Sequence, residues 1–71
     1  MKIFKYIVIN KNDMSRMYHF AVAKDVAAYL LGRNLTNIFV IVNECKVLHI
    51  KDLQTSNVHT IQFELEKLES T

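Results

Sequence analysis

Residues 24–32 read KDVAAYLLG, and they decide the fold class because their apolar spacing differs from that of the segments around them. The apolar side chains that share one helical face are Val26, Ala27, Leu30 and Leu31. Asp25 in the first turn is favoured by the helix dipole. Gly32 can end the helix in a left-handed conformation without a Cβ penalty. We therefore predict one short helix over residues 24–31.

The segments on either side of this helix have the composition of β-strands. Residues 3–9 and 16–23 are rich in β-branched and aromatic types, and the turn-favouring residues 10–13 lie between them. Residues 38–42 and 46–51 repeat this arrangement around a short polar loop. The helix is thus expected to lie between two hairpins.

Residues 58–68 are compatible with two structures. Ile61, Phe63 and Leu65 alternate with polar side chains, which is typical of a strand with one buried face. The side chains that a helix would bury instead are Val58, Ile61, Leu65 and Leu68. Because such a helix leaves Phe63 off its apolar face, we predict a fifth strand and keep the helix as the alternative.

Together these segments predict a single α+β domain over residues 1–71, with about five antiparallel strands in the order β-β-α-β-β-β and one short helix on one face. Residues 38–42 are apolar on both sides of the strand. One helix, about 10 Å across, covers one side of such a sheet at most. The uncovered side predicts self-association into a homo-oligomer. The alternative is a sheet that curls over its own core.

Composition narrows the cellular setting and the chemistry. Cys45 is the only cysteine and cannot pair within the chain, which favours a reducing compartment, most simply the cytoplasm. No apolar run approaches the roughly 18 residues of a membrane span. The net charge of +2 is too small to imply a nucleic-acid partner by itself.

Catalytic and cofactor motifs are absent from the sequence, which contains no glycine-rich phosphate loop, no paired cysteines and no His-Glu-x-x-His. His19, His49 and His59 lack the local spacing that orients metal ligands. We therefore expect a binding protein that is not an enzyme and carries no cofactor or metal.

A polar cluster follows the predicted helix, and we interpret it as the candidate ligand-binding site. Its members are Arg33, Asn34 and Asn37, with Arg16 and Tyr18 contributed by the second strand. Arginine grips phosphate or carboxylate through paired hydrogen bonds. A small anionic ligand such as a nucleotide is the predicted occupant. The alternative is a loop whose polar groups satisfy their own backbone.

Single-stranded nucleic acid is the second candidate ligand. Tyr6, Tyr18 and Phe20, together with Lys5 and Arg16, would form a platform for stacked bases. The chain lacks the clustered excess of basic residues that usually accompanies such binding, and a core would need the same aromatic side chains. We therefore rank this function second.

In its size, its richness in lysine, isoleucine and asparagine, its lack of proline and its hairpin-helix-hairpin organisation, the whole chain resembles the small accessory proteins of bacteriophages with AT-rich genomes. The resemblance specifies no site residues. It implies a counter-defence role, in which the protein inhibits a host enzyme or sequesters a host protein or nucleotide-type signal. We expect no membrane partner.

Overall fold

The computed structural model describes residues 4–31, 33, 35–52 and 57–70. The elements in these ranges are β1 (Tyr6–Asn10), β2 (Asp13–Phe20), α1 (Ala23–Leu30), β3 (Ile38–Val42), β4 (Lys46–His49), a 3-10 turn (Ile50–Asp52) and α2 (Val58–Glu69). The strands form one antiparallel sheet in the order β2-β1-β3-β4. The predicted α+β class and the two hairpins are confirmed. The described chain has four strands and two helices where five strands and one helix were predicted.

The turns of the two hairpins differ in how well the local sequence accounts for them. In the first, Asn10 Oδ1 accepts a hydrogen bond from the backbone N–H of Asn12 at 2.8 Å, a side-chain turn that asparagine favours. In the second, Asn43 and Glu44 adopt positive φ angles of 52° and 67°. Asparagine tolerates this region, whereas glutamate is uncommon there.

Helix α1 follows the prediction closely. Val26, Ala27 and Leu30 are fully buried. Leu31 was predicted on the same face, but it is 47% exposed because the helix ends one residue earlier and Leu31 adopts extended backbone. Gly32, the predicted terminator, lies outside the described residues.

Helix α2 corrects the prediction of a fifth strand. Ile61 and Leu65 are buried, and Val58 and Leu68 pack beside them, so the apolar side chains at spacings of three and four form the buried stripe. Phe63 is 61% exposed. Its alternation with Ile61 and Leu65 in the sequence therefore did not reflect a buried strand face. Neither α1 nor α2 is long and apolar enough to cross a membrane.

Both helices pack on the same face of the sheet. One core cluster joins the two helices, the two central strands β1 and β3, and the 3-10 turn. Its buried members are Tyr6, Val8, Ala23, Val26, Ala27, Leu30, Ile38, Val40, Val42, Ile50, Ile61 and Leu65. Because side chains alternate along a strand, the residues between these core positions point to the opposite face.

That opposite face carries two rows of side chains that cross all four strands. One row is His19, Ile7, Ile41 and Val47, and the other is Met17, Ile9, Phe39 and His49. Ile9 is buried, but Met17 and Val47 are 52% and 48% exposed. Neither described helix covers this face, which we call the open face.

Candidate functional site

A small cleft lies at the outer edge of the sheet, where the pairing of β1 and β2 becomes irregular. Its lining side chains are Asn10, Asp13, Arg16, Tyr18 and Tyr29, and its volume is about 170 Å³. Ile9 pairs with Met17, whereas the next residue, Asn10, pairs with Asp13. The irregularity places polar side chains around the opening, as strand bulges often do beside functional sites.

Tyrosine side chains from β2 and α1 form one wall of the cleft. The ring centroids of Tyr18 and Tyr29 lie 5.3 Å apart with 35° between the ring planes. Tyr29 also contacts Phe20, with 5.5 Å between the centroids. Tyr18 is 42% exposed, so the aromatic cluster presents one ring to solvent. An exposed ring held by its neighbours is a surface on which a planar group can stack.

Arg33 lies against Tyr29 in this aromatic cluster. Its guanidinium carbon is 4.1 Å from the centroid of the Tyr29 ring, within the range of a cation–π contact. Its Nε donates a 2.7 Å hydrogen bond to the backbone carbonyl of Tyr29. Arg33 therefore caps the last turn of α1 and holds Tyr29 in place.

Arg16 is the cation that lines the cleft directly. Its Nε lies 3.5 Å from Asp13 Oδ2, and the two side chains are 73% and 51% exposed. Ser15 Oγ donates a 2.6 Å hydrogen bond to the other oxygen of Asp13. An exposed ion pair of this kind contributes roughly 0–1 kcal/mol. Arg16 can consequently exchange Asp13 for an anionic ligand at little cost in folding free energy.

The structure brings three of the five predicted site residues together. Arg16 and Tyr18 line the cleft, and Arg33 contacts it through Tyr29. Asn37 is half-buried, and its backbone carbonyl accepts a 2.8 Å hydrogen bond from the first hairpin turn. It is not part of the lining. Asn34 lies outside the described residues.

Sequence reasoning missed Tyr29, Asn10 and Asp13. Tyr29 precedes Arg33 by four residues, a spacing that places two side chains on the same side of a helical turn, and this was the available signal. Asn10 and Asp13 were interpreted only as turn residues. Their position in the cleft depends on the break in strand register, which no local pattern indicates.

The platform proposed for stacked bases is largely occupied by the core. Tyr6 is 1% exposed and belongs to the core cluster, and Phe20 is half-buried against the same core. Tyr18 is the exposed member. One exposed tyrosine suits a single planar group better than a run of stacked bases.

A second polar cluster joins the end of α2 to β1. Lys5 Nζ lies 2.7 Å from Glu69 Oε1, and the Tyr6 hydroxyl donates a hydrogen bond to Glu69 Oε2. The hydrogen bonds from Lys5 and Tyr6 lower the pKa of Glu69. Burial raises the pKa of Tyr6 above its ordinary value, and the hydrogen bond and charge of Glu69 raise it further. These contacts fasten a helix to a strand.

The histidines and Cys45 do not converge. In the described ranges, no group of three or more His, Cys, Asp or Glu side chains is placed to hold a metal ion. His19 packs against Phe4 and His49 against Phe39, and Cys45 is exposed in the second hairpin turn.

Comparison of the chain with known proteins found no matching family model, no similar curated protein and no similar solved structure.

Proposed function

We propose that this chain is a non-catalytic, self-associating protein that binds a small anionic ligand of nucleotide type in the cleft between β2 and α1. The observation that supports the proposal is the juxtaposition of Arg16 with the Tyr18–Tyr29 pair. A cation beside an exposed aromatic ring offers one contact to a phosphate and another to a planar base.

The chemistry of the lining favours binding over turnover. In the described cleft, Asn10 offers an amide, Tyr18 and Tyr29 offer rings and hydroxyls, and Arg16 offers a guanidinium. Asp13 forms an ion pair with Arg16. Its negative charge repels an anionic ligand unless the ligand displaces Asp13 from Arg16. The aromatic rings and the cation together favour a ligand that carries both a planar ring and an anionic group.

The small size of the cleft supports a site to which one protomer contributes only part. Its volume of about 170 Å³ lies below the roughly 300–1,000 Å³ of pockets that enclose a whole small ligand. A base or a phosphate fits, and the rest of a nucleotide would extend outside. We therefore propose that the ligand is held between protomers.

Sequestration of a host signal, or inhibition of a host protein that carries an equivalent anionic group, is the biological role that we propose. It is also what the resemblance to bacteriophage accessory proteins implies. Binding of single-stranded nucleic acid is the second proposal, and it rests on Tyr18 and Arg16 alone because Tyr6 is buried.

Thermal unfolding in the presence of separate ligands tests the proposal. The probes are adenosine 5′-monophosphate, adenosine and inorganic phosphate, with a dT oligonucleotide for the second proposal. Ligand at about 100 times Kd stabilises by about 2.7 kcal/mol, which corresponds to a rise of about 11–22 °C in Tm for a domain of this size. We expect this rise with the monophosphate and smaller rises with adenosine or phosphate.

Two variants show where the ligand binds. Arg16→Gln should weaken binding of the monophosphate by about tenfold or more, because a charge-assisted contact contributes roughly 1.5–3 kcal/mol. Lys51→Gln removes an exposed cation beyond β4 and should leave binding unchanged. Equal binding by both variants, or a response to the oligonucleotide alone, would contradict the proposal.

A further inference from the structure

In the part of the chain that the structure describes, strand β2 is a long outer edge of the sheet on which no further strand pairs. It has eight residues, of which seven are exposed, and it contains neither lysine nor proline. Its two charged side chains, Asp13 and Arg16, form an ion pair with each other. Edge strands are usually shortened, charged or covered, because their free N–H and C=O groups accept further strands. The opposite edge, β4, has only four residues and begins with Lys46. Of the two edges, β2 is therefore the one suited to accept another strand.

We propose that β2 pairs antiparallel with β2 of a second copy of this chain, in a two-fold register centred on Met17. This inference rests on the self-association proposed above and specifies its surface. A second copy is the chosen occupant because the side chains of β2 complement one another in this register. The resulting sheet would run continuously through eight strands.

The register follows from the two faces of the strand. In a two-fold antiparallel pair, facing side chains lie on the same side of both sheets only when the two-fold axis passes beside one residue and the copy of that residue. Near the middle of β2, the residues that could lie on this axis are Arg16, Met17 and Tyr18. Centring on Arg16 places two like charges directly opposite, which is destabilising. Centring on Tyr18 pairs fewer residues.

Centring on Met17 avoids both costs and joins residues 14–20 of each copy. The cross-strand pairs are Met14 with the partner's Phe20, Ser15 with the partner's His19, Arg16 with the partner's Tyr18, and Met17 with the partner's Met17. None of these pairs has like charges. The arginine–tyrosine pair occurs twice by symmetry, and opposite side chains of this kind lie within contact range, about 4.5–5.5 Å between Cβ atoms. Exposed Met14 and Met17, at 56% and 52%, would also be covered.

The pairing would complete the cleft. Arg16 and Tyr18 lie on the edge strand itself, so the partner's β2 would run along the outer side of the opening. The partner's Tyr18 would stand beside Arg16 and would provide the second wall that a cleft of about 170 Å³ needs to enclose a nucleotide-sized ligand.

Site-specific disulfide formation tests the register. In a Cys45→Ser background, which removes the exposed native thiol, Met17→Cys would place two thiols on the two-fold axis. Directly opposite Cα atoms lie about 4.5–5.5 Å apart, within the range of a disulfide. Met14→Cys is the matched control, because it is equally exposed but would lie about 20 Å from its own copy. We expect cross-linking in a glutathione buffer to be at least tenfold faster for Met17→Cys.

Light scattering on the same proteins distinguishes failure of the register from failure of self-association. If the Met17→Cys and Met14→Cys variants are both dimers but cross-link equally slowly, the edge pairing is wrong and self-association still holds. Monomers at about 100 μM would overturn both. Val47→Glu, which places a charge on the open face, should leave the dimer unchanged. If the Val47→Glu variant is a monomer, the interface lies on the open face instead.

Discussion

The two ends of the helix layer are held by different kinds of contact. At the C-terminal end of α2, Lys5 and Tyr6 bind the Glu69 carboxylate, and Lys46 Nζ donates to the carbonyl of Leu68 at 2.8 Å. At the C-terminal end of α1, Tyr29 packs among aromatic rings and Arg33. Polar groups at the α2 end are used for stability, whereas the α1 end leaves Arg16 and Tyr18 exposed. This difference is why we place the binding site beside α1.

The largest expected effect concerns how α2 packs. Leu65→Ala should lower the free energy of unfolding by about 2–5 kcal/mol, because it empties a fully buried position. Phe63→Ala should cost about 0.5 kcal/mol or less, because Phe63 is 61% exposed. Urea denaturation measures both. Equal losses would support the strand, in which both side chains face the core, and would contradict the helix.

The next effect concerns Arg33, whose side chain the sequence suggested was free to bind a ligand. Its hydrogen bond to the Tyr29 carbonyl and its contact with the Tyr29 ring predict that Arg33→Ala costs about 1–2 kcal/mol of stability. Arg16→Ala should cost less than about 0.5 kcal/mol. Chemical denaturation of the two variants side by side checks this order. If Arg16→Ala is the more destabilising, the structural and binding roles of the two arginines are reversed.

The smallest expected effect concerns the fastening of α2. Tyr6→Phe removes one hydrogen bond to Glu69 and should cost about 0.5–1.5 kcal/mol at pH 7. Glu69 keeps its contact with Lys5 in this variant. The loss is therefore smaller than that from emptying a core position, and urea denaturation at neutral pH measures it.

The same fastening predicts how stability depends on pH. The pKa of Tyr6 is raised on folding, so its contribution is present below its ordinary value of about 10 and is lost as the pH rises above that value. The pKa of Glu69 is lowered on folding, so its contribution is present above about pH 4.5 and is lost as the pH falls. As the pH rises from about 9 to 11, the free energy of unfolding should therefore fall less for Tyr6→Phe than for the native chain. Parallel pH profiles would contradict the role given to Tyr6.

Sequence patterns predicted those parts of the fold that depend on local spacing. Val26, Ala27 and Leu30 identified α1, and the two-sided apolar strand at residues 38–42 anticipated a sheet face that the helices do not cover. Helix α2 was kept only as the alternative, because Ile61 and Leu65 satisfy a period of two and a helical spacing equally well and Phe63 favoured the strand. Only packing against α1 decides between them.

The candidate site was predicted only in part, because some of its contacts depend on tertiary packing and not on local sequence. Arg16 was predicted because arginine grips anions and this one lies on the second strand, and Tyr18 lies two residues further along the same strand. Tyr29 was not predicted, since its contact with Tyr18 joins α1 to β2 and depends on how the helix crosses the sheet. The break in register that opens the cleft also arises from tertiary pairing.

Titration of the ¹⁵N-labelled protein with adenosine 5′-monophosphate, followed by amide chemical shifts, tests the comparison between the two ends most directly. The expected shift changes cluster at the lining of the cleft, which is Asn10, Asp13, Arg16, Tyr18 and Tyr29. The amide chemical shifts of Asn43, Lys46 and Glu69 should not change. Changes confined to the α2 end, or no saturable changes anywhere, would contradict the assignment of binding to the cleft between β2 and α1.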